Sequence, residues 1–116
     1  MMLTLQKETR IYIRPGKTDF RKSINGLCVL VQEHMQGNPF SGNYYVFCNR
    51  TKTMLKILYW DRNGFCLWHK RLEEDRFRWP RTPEDVHEIT REEFHWLLHG
   101  LDFYNAHKNR RYSRVV

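Results

Sequence analysis

Two hydrophobic periods alternate along this chain, and the places where one gives way to the other mark its elements. Arg10 to Arg14 reads Arg-Ile-Tyr-Ile-Arg, the period of two expected of a short strand, and Pro15-Gly16 stops it with a turn dipeptide. From Thr18 or Asp19 the period lengthens. Phe20, Ile24, Leu27, Cys28, Val31 and Met35 keep the spacing of one helix face, and Asp19 suits a helix start. Gly26 inside that helix costs about 1 kcal/mol relative to Ala, which implies a close packing contact there. Gly37-Asn38-Pro39 ends the helix.

The period of two then returns. Strands are predicted at Tyr44 to Cys48, Met54 to Trp60 and Phe65 to Arg71, the last two joined through Asp61-Arg62-Asn63-Gly64, a strong hairpin signal. The acidic run Glu73-Glu74-Asp75 makes a turn before a short strand at Phe77–Trp79, which Pro80 stops. Val86–Ile89 adds a further edge strand. Thr90 caps a second helix and Glu93, three residues on, completes a capping box. That helix buries Phe94, Leu97 and Leu98, and Gly100 terminates it. The expected architecture is α+β: an antiparallel sheet of about four to six strands with two helices packed on one face. Residues 1–104 form a single domain and 105–116 a basic tail.

The hairpin sorts its side chains into two faces. With Asn63-Gly64 as a two-residue turn, Trp60 opposes Leu67; with a four-residue loop, it opposes Phe65. Either register leaves the faces unchanged, because partners shift by two and side chains alternate by two. One face carries Leu55, Ile57, Tyr59, Cys66 and Trp68, ending in Lys70, and is expected under the helices. The other carries Lys56, Leu58, Trp60, Phe65, Leu67, His69 and Arg71. This second face is half apolar and half basic, so it is either covered by a neighbouring segment or functional.

Charge sharpens that choice. Twenty Lys and Arg against thirteen Asp and Glu leave +7 in 116 residues, a surplus suited to nucleic acid or to an acidic partner surface. Four of the seven net charges sit in the tail, where Lys108, Arg110, Arg111 and Arg114 stand without an acid. Three cysteines, Cys28, Cys48 and Cys66, cannot all pair, and no leader or membrane-length apolar run is visible. A reducing, cytoplasmic setting is expected, at the nucleoid if the protein holds DNA.

Catalysis finds no convergent groups. Two-metal strand transfer needs clustered carboxylates, whereas Glu73-Glu74-Asp75 and Glu84-Asp85 read as solvated runs and Asp61 as a turn residue. Cys66 and His69 have a zinc-like spacing, but residues three apart on a strand face opposite ways and no second ligand pair exists. No cofactor, metal or catalytic residue is expected.

Several strings are distinctive: Thr18-Asp19-Phe20-Arg21-Lys22-Ser23-Ile24-Asn25-Gly26-Leu27, Asn38-Pro39-Phe40-Ser41-Gly42, Val46-Phe47-Cys48-Asn49-Arg50, and Lys56 through Trp68, with Leu72-Glu73 and Phe77-Arg78-Trp79-Pro80 beyond. Together, in this order across about Arg10 to Leu101, they resemble the small TnpB accessory proteins of the insertion sequence 66 family of transposable elements. The resemblance implies a role in transposition beside a separate, larger transposase, and brings no list of catalytic residues with it.

Two readings follow. In the first, the chain is a non-catalytic accessory factor that binds DNA at the element's ends. Arg50, Lys52, Lys56, His69 and Arg71 contact phosphates, joined by Lys108, Arg110, Arg111 and Arg114 of the tail, while Trp60 and Phe65 stack. In the second, it is an adaptor that docks onto the transposase through a Leu58, Trp60, Phe65 and Leu67 patch without touching DNA.

Overall fold

Tyr44–Cys48, here β2, is buried at every residue, the mark of a strand with neighbours on both edges and packing on both faces. It lies third in a five-stranded sheet within the computed structural model, which describes residues 5–82 and 87–100. The other strands are β1 (Ile11–Ile13), β3 (Met54–Asp61), β4 (Gly64–Arg71) and β5 (Glu88–Ile89), in the order β4-β3-β2-β1-β5. Helix α1 (Ile24–His34) separates β1 from β2, and α2 (Arg91–Leu98) follows β5.

Three of the four strand pairs are antiparallel, as expected, but β1 and β2 run parallel, with Ile11 opposite Tyr44 and Ile13 opposite Val46. The wholly antiparallel sheet is therefore corrected to a mixed one. The reason lies in the connection: parallel neighbours need a long crossover, and residues 14–43, with α1 inside them, supply it.

The helices also divide between two cores. Leu27, Leu30 and Val31 of α1 cluster with Tyr45, Phe47 and Leu58, whereas Phe94 and Leu97 of α2 cluster with Tyr44, Val46, Leu55 and Ile57. Successive residues of β2 and β3 thus feed opposite clusters, so the two helices do not share a face as expected. The half-basic hairpin face is the one beneath α1.

Local chemistry explains two smaller departures and selects the hairpin register. Helix α1 begins at Ser23, not at Thr18 or Asp19, because the Asp19 carboxylate accepts from Arg21 N at 2.9 Å and its carbonyl from Lys22 N at 3.1 Å, closing a turn first. Phe77–Trp79 is no strand. Phe77 N donates to Lys52 O and the Trp79 indole to the carbonyls of Arg14 and Gly16, so both rings are buried without a ladder. The hairpin turns on Arg62 and Asn63, with Asp61 opposite Gly64 and Trp60 opposite Phe65; Arg62 takes the left-handed φ of 52°.

At the far end the reading holds in atomic detail. Glu93 N donates to Thr90 Oγ1 at 3.0 Å and Thr90 N to Glu93 Oε1 at 2.9 Å, a complete capping box, and Gly100 follows the helix with φ 74°. Gly37 has a different reason to be glycine, since a Cβ there would stand 2.7 Å from Tyr45 Oη.

Candidate nucleic-acid cleft

Because β1 and β2 are adjacent and parallel, the segments leaving their carboxyl ends emerge at the same edge of the sheet. Crevices outside the carboxyl ends of parallel strands are where such sheets hold ligands. Here the segment after β1 supplies Arg14, Lys17, Phe20, Arg21 and Lys22, and the segment after β2 supplies Asn49, Arg50 and Thr51, around a cleft of about 620 Å³. A smaller recess of about 180 Å³ shares Lys17, Asn49 and Arg50 with it and adds Lys52 and Arg81. Among the described residues, the two together bring seven cations (Arg14, Lys17, Arg21, Lys22, Arg50, Lys52 and Arg81) against one acid, Asp19.

Each wall is built by hydrogen bonds that leave most of the cations outward. Thr18 N continues the sheet to Cys48 O at 2.9 Å, and Thr18 Oγ1 accepts from Arg14, whose guanidinium also donates to Lys17 O. Arg14 is thereby spent on structure. Asn49 organises the second wall: its carboxamide oxygen accepts from Thr53 N and Met54 N, while its nitrogen donates to Thr53 Oγ1. Lys52 completes that turn with φ 62°. The third wall, Pro80 and Arg81, is tied to the first by Gly16 N donating to Pro80 O at 2.8 Å. Lys17, Arg21, Lys22, Arg50 and Arg81 are exposed.

Asp19 and Arg21 form an ion pair at 2.7 Å, and the hydrogen bond from Arg21 holds the Asp19 carboxyl down at about 2. The acid therefore stays ionised and offsets one of the cleft's charges.

The residues expected to contact phosphates scatter in their fates. Arg50 and Lys52 line the cleft. Lys56 does not: it is only 7% exposed, and its Nζ donates to the carbonyls of Phe20 at 2.9 Å and Lys22 at 3.2 Å while lying 4.8 Å from the Phe20 ring centroid. Its ammonium braces the cleft wall from beneath, and desolvation lowers its pKa. His69 is exposed, but desolvation and then the Lys56 charge push its imidazole below the ordinary 6.5, which disfavours the cationic form a phosphate would need. Arg71 is paired with Glu73 at 2.9 Å. Lys108, Arg110, Arg111 and Arg114 lie outside the described residues.

The apolar patch is likewise redrawn. Leu58 is wholly buried beneath α1 and Leu67 packs against the same core, so neither makes an open surface as expected. Trp60 and Phe65 instead meet Phe40, with ring centroids 5.0–5.2 Å apart around the trio, and Phe40 is 56% exposed. Phe40 was missed because a lone aromatic in a turn-rich stretch carries no periodic signal. Lys17, Arg21, Lys22 and Arg81 were missed for another reason: only the parallel pairing and the indole of Trp79 bring them to Arg50.

Among the described residues, no group of three or more His, Cys, Asp or Glu side chains is placed to hold a metal, and no helix is long and apolar enough to cross a membrane.

A family model described as IS66 Orf2 like protein matches residues 9–108. The chain is also similar to two proteins of Sinorhizobium fredii (strain NBRC 101917 / NGR234). To the uncharacterized protein y4hO it is 34% identical over 114 residues, 98% of this chain and 99% of that one. To the uncharacterized protein y4jC it is 32% identical over 102 residues, 88% and 87% of the two chains. No solved structure matches.

Proposed function

Since the chain belongs to the IS66 Orf2-like family of insertion-sequence proteins, we propose that it is a non-catalytic accessory factor of transposition that holds DNA phosphates in the cleft beside β1 and β2. The observation that carries this reading is the convergence, among the described residues, of seven cations and one acid from three separated segments on adjoining recesses. Phosphates attract such a surface through release of their counterions, a contribution independent of base sequence. Lys17, Arg21, Lys22, Arg50, Lys52 and Arg81 make the contacts. The basic tail, with Lys108, Arg110, Arg111 and Arg114, adds further affinity by charge.

The test is fluorescence anisotropy with a labelled duplex from the element's ends, against a scrambled duplex, over a salt series. Binding that weakens steeply with salt, and that the triple change Lys17→Ala, Arg50→Ala, Arg81→Ala largely removes, supports the reading. No binding at low salt overturns it. Preference for the element end over the scrambled duplex separates end recognition from general phosphate affinity.

One observation favours the adaptor reading as well. Phe40, from the segment between α1 and β2, packs on Trp60 and Phe65 of the hairpin and stays 56% exposed, an aromatic ring on the surface. If the protein docks onto the element's transposase, Phe40→Ser abolishes co-purification of the two and leaves the salt series unchanged.

A further inference from the structure

The cleft is concave, and its lining is not wholly polar: Phe20 and Leu30 stand among the cations. A duplex presents a stiff rod of phosphates with its bases stacked inside, and it is read by an element that projects into one of its grooves. Here the basic side chains line a recess instead. A volume of about 620 Å³ falls in the size range of sites that enclose small ligands, nucleotides among them. Leu30 belongs to the core beneath α1, whereas the partly exposed Phe20 ring offers an aromatic face that suits an unpaired base.

Resting on the phosphate-binding reading above, we infer that the cleft takes an unpaired nucleotide strand in preference to a duplex, with Phe20 as the surface on which a base stacks. Bases stack on aromatic side chains without regard to sequence, while flanking cations track the backbone. Phe20 is placed for this before any ligand arrives. Its carbonyl accepts from Lys56 Nζ and its ring lies 4.8 Å from the same ammonium, so the turn that carries it is held from the sheet side. Arg21 and Lys22 follow it directly in sequence, and Arg50, from the segment after β2, lines the same cleft. Arg21 is 91% exposed in its side chain and reaches Asp19 without being covered, which leaves its remaining donors to a backbone.

Phe20 also packs against the core beneath α1, so its removal can act through stability. Phe20→Leu separates the two roles, because it keeps an apolar side chain of similar size and discards the aromatic face.

The experiment measures anisotropy of a short labelled oligothymidine strand and of a blunt duplex of equal length, for the unaltered chain and for Phe20→Leu, with thermal midpoints alongside. The expected result is single-strand binding at least about tenfold tighter than duplex binding, reduced about tenfold by Phe20→Leu at an unchanged midpoint. Salt adds a second readout: the slope per phosphate is about 0.7 on a single strand and about 0.9 on a duplex. Equal or weaker binding of the single strand overturns the inference, as does indifference of single-strand affinity to Phe20→Leu. If the duplex still binds and Arg50→Ala weakens it, the phosphate reading stands while the preference for unpaired strands is wrong. If neither probe binds at low salt, both are wrong.

Discussion

Lys56 gives its ammonium to the carbonyl of Phe20, 2.9 Å away and 36 residues earlier in the chain. The bond joins the middle of β3 to the turn that precedes α1, and a second bond to Lys22 O doubles it. A basic residue on a mixed strand face thus acts as a strut. Lys56→Met keeps the length of the stem and leaves both carbonyls without their donor. The expected loss is about 1–3 kcal/mol, read from urea unfolding. An unchanged midpoint would show that water replaces the ammonium at no cost.

Asp19 is the one acid among the described residues that line the cleft, and it pairs with a cation that would otherwise face a ligand. Asp19→Asn retains an oxygen for the bond from Arg21 N and removes the negative charge. Binding to any polyanion should tighten on the order of threefold, and the salt slope should steepen by roughly 0.7 to 0.9 as one further cation becomes available. Heparin elution and DNA anisotropy both read the change. Weaker binding would mean that the Asp19–Arg21 pair orders the cleft more than it screens it.

Thr90→Ala removes one arm of the α2 capping box and should cost about 1 kcal/mol in chemical unfolding. Glu93→Ala should cost a similar amount. Because the two side chains cap each other's backbone, the double change is expected to cost less than the sum of the singles.

The fold should weaken in alkali. Burial pushes the Cys48 thiol from 9.0 up to about 12, and burial, followed by the Cys66 neighbour, pushes the Tyr59 phenol from 10.0 to about 12. In each case the native state keeps a proton that the unfolded chain releases earlier. The stabilisation is complete below the unfolded value and is lost as pH climbs towards the folded one, between 9.0 and about 12 for Cys48 and between 10.0 and about 12 for Tyr59. The buried Cys48 thiol contributes a slope of about 1.4 kcal/mol per pH unit within its window, and Tyr59 adds in the same direction. Urea midpoints measured across that range check it, and Cys48→Ala should flatten the onset above pH 9.0.

What was legible in the sequence was what local chemistry decides. Tyr44–Cys48 is a strand with the expected bounds because five consecutive apolar residues lie between polar turns, and Thr90 with Glu93 caps α2 because both partners lie within one turn. The pairing of β1 with β2 was not legible, since direction across a long connection leaves no periodic trace. The loss was functional as well as topological. With β1 and β2 antiparallel, Lys17 and Arg50 would leave the sheet at opposite ends, and the cleft would not exist in prospect. Lys56 was misjudged because alternation shows which face a side chain takes, not which carbonyls wait above that face. Trp79 was placed on a strand because aromatic content speaks for strands, whereas its indole serves as a peg into the turn at Gly16.

The position of β1 has a consequence for the order in which the molecule can be completed at the ribosome. It is the first of the described strands, yet it lies between β2, which follows after a thirty-residue excursion through residues 14–43, and β5, which does not appear until Glu88. The antiparallel strands β2, β3 and β4 can zip together as they emerge, each beside its predecessor. Ile11 and Ile13 must meanwhile remain an uncovered edge until Glu88–Ile89 arrives to close them off. A transcript cut short within that interval would yield a chain with a nearly finished sheet and one sticky border.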